Sequence, residues 1–247
     1  MNLLKQLYQI NSKSGHEAEI KRFVLDQLAN LPLKIEEDHF GNIFVTKGQA
    51  EHYPCVAAHL DEVHPPCVRN VKENDGIIFA TDENGERSGI GADDKNGVWI
   101  ALRLLQSEPI LKVAFFVQEE KDGELSGCRG SNACSLAFFD DVDYILQCDR
   151  KGSSDMVTFS EKAGVRLCDD DFIPENILQK FGFQPVHGGK TDVVALKMRG
   201  LPLPCCNLSC GYYNAHKPDE YTVWAELQNA LEFVRHIIRL PMPLTSF

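Results

Sequence analysis

Histidines and carboxylates recur along this 247-residue chain, each at the end of an apolar stretch or in the loop that follows one. Imidazole and carboxylate ligands without paired cysteines suit zinc, cobalt or manganese in an open catalytic site. Two such cations, about 3.5–4 Å apart, can polarise a carbonyl and activate a shared water. The pattern therefore predicts a hydrolase with two divalent metals, zinc first and cobalt or manganese as alternatives. The predicted ligands are His59, Asp93, Glu120, Asp149 and His216.

The segment His59-Leu-Asp61 directly follows the apolar run at residues 55–58. In extended backbone, side chains two residues apart leave on the same side. A ligating imidazole usually gives its second ring nitrogen to a carboxylate or another acceptor. We therefore assign His59 as a ligand and Asp61 as the group that orients it. For this segment alone, a loop histidine beside a solvated aspartate is the alternative.

Two adjacent aspartates, Asp93 and Asp94, lie at the predicted start of a helix, between glycines at positions 91 and 97. Capping of the helix explains one aspartate well. The glycines indicate a constrained backbone, which a simple cap does not require. We interpret Asp93 as a bridging ligand that offers one oxygen to each cation.

The pair Glu119-Glu120 follows the apolar run at residues 113–117. A metallohydrolase needs a ligand carboxylate and a separate general base, so we assign Glu120 as the ligand and Glu119 as the base. A solvated acidic loop is the alternative here. Asp149 ends the run at residues 144–148, and His216 lies in a polar loop before the last helix. The alternative for Asp149 is a turn cap, and the alternative for His216 is an exposed histidine. It is much less expected that every one of these alternatives holds at once, in this order along the chain.

Continuous apolar runs alternate with helical patterns, which predicts an α/β protein whose sheet is buried on both faces. A helix is expected from Asp94 to about Gln106, and the clearest helix from Val223 to about Arg239, with Thr222 as its N-cap. In such sheets, ligands gather at the carboxyl ends of the strands. Most of the predicted ligands fall at such positions.

The net charge limits which partners are expected, and the cysteine content indicates the cellular compartment. The net charge of −11 argues against nucleic acid or an anionic membrane as a partner. The nine cysteines are odd in number and include no Cys-x-x-Cys pair, which favours a cytoplasmic, reducing environment. The N-terminus does not resemble a signal peptide, and no stretch approaches the roughly 20 apolar residues of a membrane span.

As an ordered set, these segments resemble peptidase T and its relatives among the co-catalytic zinc peptidases, which include aminoacylases, glutamate carboxypeptidases and single-domain leucine aminopeptidases. The resemblance covers most of the chain. Each piece is short, and the specificity lies in their order. The matching segments are Ser14-Gly-His-Glu17, His59-Leu-Asp61, Gly91-Ala-Asp-Asp-Lys-Asn-Gly97, Gln118-Glu-Glu120, Gly127-Cys-Arg-Gly-Ser131, Asp149, Gly188-Gly-Lys-Thr-Asp192 and Asn214-Ala-His216.

The resemblance implies a three-layer α/β/α sandwich with a mixed, mainly parallel central sheet. It implies that one metal is held by His59 and Asp149 and the other by Glu120 and His216, with Asp93 between them. It also implies Glu119 as the base, Asp61 as the support of His59, and a cis peptide bond between Asp93 and Asp94. The implied activity is release of an N-terminal residue from short peptides.

The chain departs from this family in two places. Gly188 comes only 39 positions after Asp149, whereas a domain needs about 50 residues at least. We therefore expect one catalytic domain over residues 1–247, without the inserted lid of the family, as a monomer or as an oligomer that needs no lid. Lys190 interrupts the family's Gly-Gly-Thr-Asp segment. This lysine either faces water or binds a substrate carboxylate.

The first expectation for function is thus a metal-dependent exopeptidase, an aminopeptidase acting on small peptides. An amidohydrolase of N-acylated amino acids is the nearest alternative. A non-catalytic metal- or peptide-binding homologue is the third, although retention of Glu119 argues against it, since binding alone needs no base. Tyr212 or Tyr213, close to His216, is either an oxyanion donor or an ordinary loop tyrosine.

Overall fold

The computed structural model describes residues 1–121, 123 and 126–240. The sequence indicates a proline-broken tail at residues 242–247, and this segment lies outside the described residues. The strands are β1 (Leu33–Glu37), β2 (Ile43–Lys47), β3 (Tyr53–His59), β4 (Asn70–Asn74), β5 (Ile77–Thr81), β6 (Arg87–Ser88), β7 (Leu111–Phe116), β8 (Val142–Arg150), β9 (Asp155–Ser160), β10 (Val165–Arg166), β11 (Gln184–Gly188), β12 (Cys205–Ser209), β13 (Tyr212–Tyr213) and β14 (Tyr221–Val223). The helices are α1 (Asn2–Gln9), α2 (Ala18–Leu28), α3 (Ala92–Ser107), α4 (Arg129–Ala133), α5 (Glu175–Phe181), α6 (Asp192–Met198) and α7 (Trp224–Ile238), with a 3₁₀ helix at Leu136–Phe139.

A nine-stranded mixed sheet forms the middle of the protein, in the order β1-β2-β7-β3-β8-β12-β9-β10, with β11 also paired to β9. The four central strands, β7, β3, β8 and β12, are parallel to one another. Strands β2 and β9 run antiparallel to their central neighbours. The predicted α/β class with a mixed sheet is confirmed.

Both faces of this sheet are covered, because alternate residues of each central strand enter different cores. In β3, Val56 and Ala58 belong to the core that contains residues of α1, α2, α3, α5 and α7. Cys55 and Ala57 belong to the core on the other face, which contains residues of α6 and the 3₁₀ helix. Burial on both sides explains why the strands appear in sequence as continuous apolar runs. The three-layer α/β/α arrangement is therefore also confirmed.

A smaller antiparallel sheet, β13-β14-β5-β4 with β6 on β5, completes the fold. Strand β14 contains Thr222, and here one prediction is wrong. Helix α7 begins at Trp224 with Val223 in the capping position and no side-chain cap. The hydroxyl of Thr222 instead lies 2.7 Å from that of Tyr8 and accepts a 3.1 Å hydrogen bond from Asn96 Nδ2. Burial of Thr222 in this polar network directs its side chain away from the helix end.

The chain between Asp149 and Gly188 forms β9, β10, α5 and β11, and all three strands join the nine-stranded sheet. All nine cysteines are unpaired, and eight of them are buried. Among the described residues, no helix combines the length and the apolar character needed to cross a membrane.

A buried ionic cluster fixes the segment that follows α1 to the start of α3. The carboxylate of Glu62 accepts hydrogen bonds of 3.0 and 2.9 Å from Arg69 and 2.9 Å from the Ser12 N–H, and Lys95 Nζ lies 3.2 Å away. Lys95 also donates to the Ile10 carbonyl at 2.6 Å. Burial acts to raise the pKa of Glu62, but the charges of Lys95 and Arg69 outweigh it and the pKa is lowered.

We predict that Glu62→Gln lowers the free energy of unfolding by about 3–5 kcal/mol, because it leaves buried cations without their counter-charge. Since the pKa of Glu62 is lowered, the difference from wild type is full above pH 4.5 and shrinks as pH falls through the folded-state pKa. Urea denaturation at several pH values measures it. The matched control is Glu36→Gln, which removes an exposed carboxylate 2.8 Å from Lys34 and is expected to change stability by at most about 0.5 kcal/mol. Equal effects of the two variants would contradict the prediction.

Candidate metal centre and active site

The central parallel strands deliver the predicted site residues to one edge of the sheet. His59 is the last residue of β3, Asp149 is the penultimate residue of β8, and Glu119 and Glu120 follow β7. These strands are neighbours, so their carboxyl ends bring the side chains together. Asp93 reaches the same place from the first turn of α3. His216 reaches it from the connection between β13 and β14.

The five predicted ligands form two groups that share Asp93. Oδ1 of Asp93 lies 3.2 Å from His59 Nε2, which is itself 3.4 Å from Asp149 Oδ1. Oδ2 of Asp93 lies 3.3 Å from His216 Nε2, which is 2.7 Å from Glu120 Oε1. In each group the possible ligand atoms lie within 4.8 Å of one another. Asp93 thus offers one oxygen to each group, as a bridging carboxylate would.

Glu119 lies inside the same cluster. A third set of possible ligand atoms within 4.8 Å of one another comes from His59, Glu119 and Glu120. The Cys128 thiol donates to Glu119 Oε1 over 3.2 Å. The carboxylate of Glu119 is therefore adjacent to both predicted cation positions, where a general base has to be.

Charges in the cluster depend strongly on one another. Burial acts to lower the pKa of His59, but Asp149, Asp61 and Asp93 outweigh it, and the pKa lies well above its usual value. Hydrogen bonds to Asp93 and Glu120 raise the pKa of His216 to about 10. A divalent cation binds neutral imidazole, so metal binding at such ligands releases protons.

The carboxylates of the cluster respond to the same crowding. Burial, together with the charge of Asp93, raises the pKa of Asp149 to about 7. Burial also raises the pKa values of Glu119 and Glu120. The pKa of Asp93 moves the other way, because hydrogen bonds to His216 and His59 outweigh its burial. Asp93 is thus the carboxylate that stays ionised most readily, which suits a group shared by two cations.

Asp61 supports the site in a way that differs in detail from the sequence-based assignment. The nearest partner of His59 Nδ1 is the backbone carbonyl of Asp61, at 3.0 Å, whereas the Asp61 carboxylate is 3.5 Å away. That carboxylate accepts the backbone N–H groups of Glu119 and Glu120, each at 2.9 Å. Residue 61 therefore directs the Nε2 atom of His59 into the cluster and also fixes the pair of glutamates.

Two supporting carboxylates were not assigned from the sequence. Asp94 is fully buried and accepts the backbone N–H groups of His59, at 3.1 Å, and of Gly97, at 2.9 Å. The peptide bond between Asp93 and Asp94 is cis, as the resemblance implies. Glu220 is also fully buried, and its carboxylate accepts the N–H groups of Gly91, at 2.7 Å, and Asp93, at 3.2 Å. Only the adjacency of two aspartates hinted at the first, and no local pattern marks the second.

Asp149 is held by residues from three other segments. Thr191 Oγ1 donates to Asp149 Oδ2 at 2.6 Å, and the Asp149 N–H donates to Asn207 Oδ1 at 2.9 Å. The Tyr212 hydroxyl donates to the Asp149 carbonyl at 3.2 Å, while that of Tyr213 donates to Glu226 at 2.7 Å. Each tyrosine thus gives its single proton to the protein, which favours the interpretation of structural tyrosines over oxyanion donors.

A cleft of about 260 Å³ opens over the cluster, and Asp93, Glu119, Glu120, Asp149 and His216 all line it. Its size is near the lower limit for small-molecule sites. A larger groove of about 510 Å³ runs along β1, β2 and the 3₁₀ helix, but neither histidine nor cysteine is among its lining residues. The chemistry, rather than the size, assigns the smaller cleft as the candidate site.

The donor set fits two divalent cations. Asp93, Glu120 and Asp149 supply three negative charges against the four positive charges of two cations, and the two imidazoles supply neutral nitrogen ligands. Nitrogen and oxygen ligands without thiolate suit zinc, cobalt or manganese. The surplus positive charge leaves room for hydroxide or for a polarised carbonyl oxygen.

No protein-family model matches the sequence, and the search of curated proteins found no match. Solved structures do match: the chain has the same fold as a group of aminopeptidases. Aminopeptidase PepT from Bacillus cereus is 18% identical, with a TM-score of 0.78 over 96% of each chain. A tripeptidase from Staphylococcus aureus is 16% identical, with a TM-score of 0.78 over 97% of this chain and 98% of that one. A TET aminopeptidase from a Thaumarchaeota archaeon is 15% identical, with a TM-score of 0.72 over 97% and 96%.

We predict that Asp61→Asn lowers cation affinity about 10–100-fold, the usual cost of losing a residue that orients ligands. An amide oxygen and NH₂ group cannot accept both glutamate N–H groups, so stability falls by about 1–3 kcal/mol as well. Calorimetric titration with zinc and urea denaturation measure the two effects. Asp82→Asn is the control, since Asp82 also accepts two backbone N–H groups at 2.9 Å, in a turn outside the cleft. Unchanged zinc affinity in Asp61→Asn would contradict the assigned support.

Proposed function

We propose that the protein is a metal-dependent exopeptidase that releases N-terminal residues from short peptides. One observation carries the proposal: Asp93 directs one carboxylate oxygen to each of two histidine–carboxylate groups, and Glu119 lies beside both. The shared fold of the aminopeptidases is consistent with it. His59 and Asp149 would hold one cation, Glu120 and His216 the other, and Asp93 both.

Two bound cations would supply a Lewis acid for the scissile carbonyl and would lower the pKa of the attacking water. Glu119 then takes the proton of the attacking water. The same carboxyl group returns that proton to the leaving amine, as general base and then general acid. Asp61 keeps Glu119 at the cleft by accepting its backbone N–H. Asp94 performs the same task for His59, whose backbone N–H it accepts.

We further propose that the chain acts as one catalytic domain without a lid, as a monomer or an oligomer that does not depend on a lid. The strands between Asp149 and Gly188 all join the main sheet, which supports this proposal. Nine unpaired thiols support a reducing compartment such as the cytoplasm. The acidic net charge supports small peptides, rather than nucleic acid or a membrane, as partners.

We predict that the protein binds two zinc, cobalt or manganese ions per chain and hydrolyses di- and tripeptides only when loaded with them. Metal analysis after dialysis gives the stoichiometry, and a peptide panel with each metal gives the activity. N-acetylated versions of the same peptides distinguish an aminopeptidase, which needs a free N-terminus, from an amidohydrolase of acylated amino acids. Two bound cations with no hydrolysis of either panel would leave a binding protein and overturn the proposal.

We predict that Glu119→Gln keeps both cations and loses turnover by roughly 10²–10⁴-fold, the contribution typical of general acid–base catalysis. Glutamine preserves the shape of the side chain but cannot take the proton. Metal content and kcat are measured on the same preparation. Glu161→Gln, at an exposed carboxylate 3.2 Å from His187, is the control for the loss of one charge. Near-normal turnover with full metal content would remove Glu119 from the mechanism.

A further inference from the structure

The lining of the cleft combines acidic and basic side chains. Asp93, Glu119, Glu120 and Asp149 line it, and so do Arg150, Lys151 and Lys190. The protein as a whole has a net charge of −11, so three cationic side chains in one small cleft run against the overall composition. Attraction to a nearby carboxylate explains a lysine or arginine in the cleft only if that side chain forms an ion pair.

Arg150 is already neutralised, because its Nε donates to Asp155 Oδ2 at 3.0 Å. Lys151 and Lys190 differ from it. Both are exposed, and within the part of the chain that the structure describes neither ammonium group has a carboxylate at ion-pair distance. Each ammonium group therefore keeps its donors available to a ligand in the cleft.

The backbone holds both lysines beside the catalytic groups. The residue before Lys190, Gly189, has its carbonyl bound by the Ser160 hydroxyl at 2.8 Å, and the residue after it, Thr191, donates to Asp149 Oδ2 at 2.6 Å. The carbonyl of Lys151 accepts a 2.8 Å hydrogen bond from Ser209. The attachment points are therefore fixed, although the side chains themselves extend into the cleft.

We propose that Lys190, assisted by Lys151, forms a carboxylate subsite that selects substrates with a negatively charged group within a residue or two of the bond that is cut. This inference rests on the proposed peptidase function. The cleft of about 260 Å³ limits the substrate to a short peptide. In a short peptide the charge comes from the free C-terminal carboxylate or from an acidic side chain.

The test compares kcat/KM for two peptide pairs, each differing in one charge, on the metal-loaded enzyme. Ala-Leu against Ala-Leu-amide isolates the C-terminal carboxylate, and Glu-Leu-amide against Gln-Leu-amide isolates a side-chain carboxylate. We expect wild type to prefer the charged member of one pair by roughly tenfold, the size of a charge-assisted hydrogen bond at a partly exposed site. Lys190→Met should bring that ratio close to one, whatever its effect on the uncharged member. The affected pair identifies the source of the carboxylate.

Three further variants sharpen the comparison. Lys190→Arg keeps the charge and should keep most of the preference, and Lys151→Met should lower the preference by less than Lys190→Met. Lys162→Met removes a charge from an exposed lysine that is not part of the cleft lining, and should leave both ratios unchanged. An equal loss in Lys162→Met would assign the effect to net charge and overturn the subsite.

Binding separates failure of the subsite from failure of the proposed function. Calorimetry with the same four peptides is carried out on zinc-loaded wild type and Lys190→Met, whether or not they are hydrolysed. A charge preference that disappears in Lys190→Met supports the subsite even if no peptide is cut, in which case only the proposed peptidase function fails. A preference that survives in Lys190→Met shows that the metals bind the carboxylate and overturns the inference, as does the absence of any preference in wild type.

Discussion

Repulsion among carboxylates is the constraint on which the rest of this structure depends. Asp93, Glu119, Glu120 and Asp149 come together at one edge of the sheet, and burial strengthens every interaction among their charges. Side chains that repel each other do not hold a common geometry by themselves. The positions have to be set by the backbone, and the backbone in turn by the rest of the fold.

The supporting groups share a simple arrangement in which a buried carboxylate accepts the backbone N–H of a site residue. Asp61 does this for Glu119 and Glu120, Asp94 for His59, and Glu220 for Asp93. Such hydrogen bonds satisfy backbone N–H groups that have no partner within a regular strand or helix at these points. They also place further acidic side chains behind the cluster, which increases its demand for positive charge from the two histidines or from cations.

The fold and the site residues could be predicted from the sequence to different degrees. Apolar runs such as residues 113–117 predict strands buried on both faces, and the position of His59, Glu119 and Asp149 just after such runs predicts that they lie at strand ends. Supports such as Glu220 were missed, because it lies 127 residues from Asp93 and its role depends on how β14 approaches α3. The N-cap assigned to Thr222 failed for a related reason, since a buried polar network far away in sequence outcompeted the local helix end. Local patterns predict elements, whereas contacts between distant segments decide where a side chain points.

The six residues proposed to act on metal and water come from five segments spread between positions 59 and 216. No partly folded chain that lacks one of these segments can offer the complete proposed cation site, so binding there would select the complete fold over the unfolded chain. Mass action would then add to the stability of the entire protein, by about 2.7 kcal/mol when free cation exceeds its dissociation constant a hundredfold. Cellular supply of the metal would therefore govern how long the polypeptide survives proteolysis, as well as the catalytic rate proposed for it.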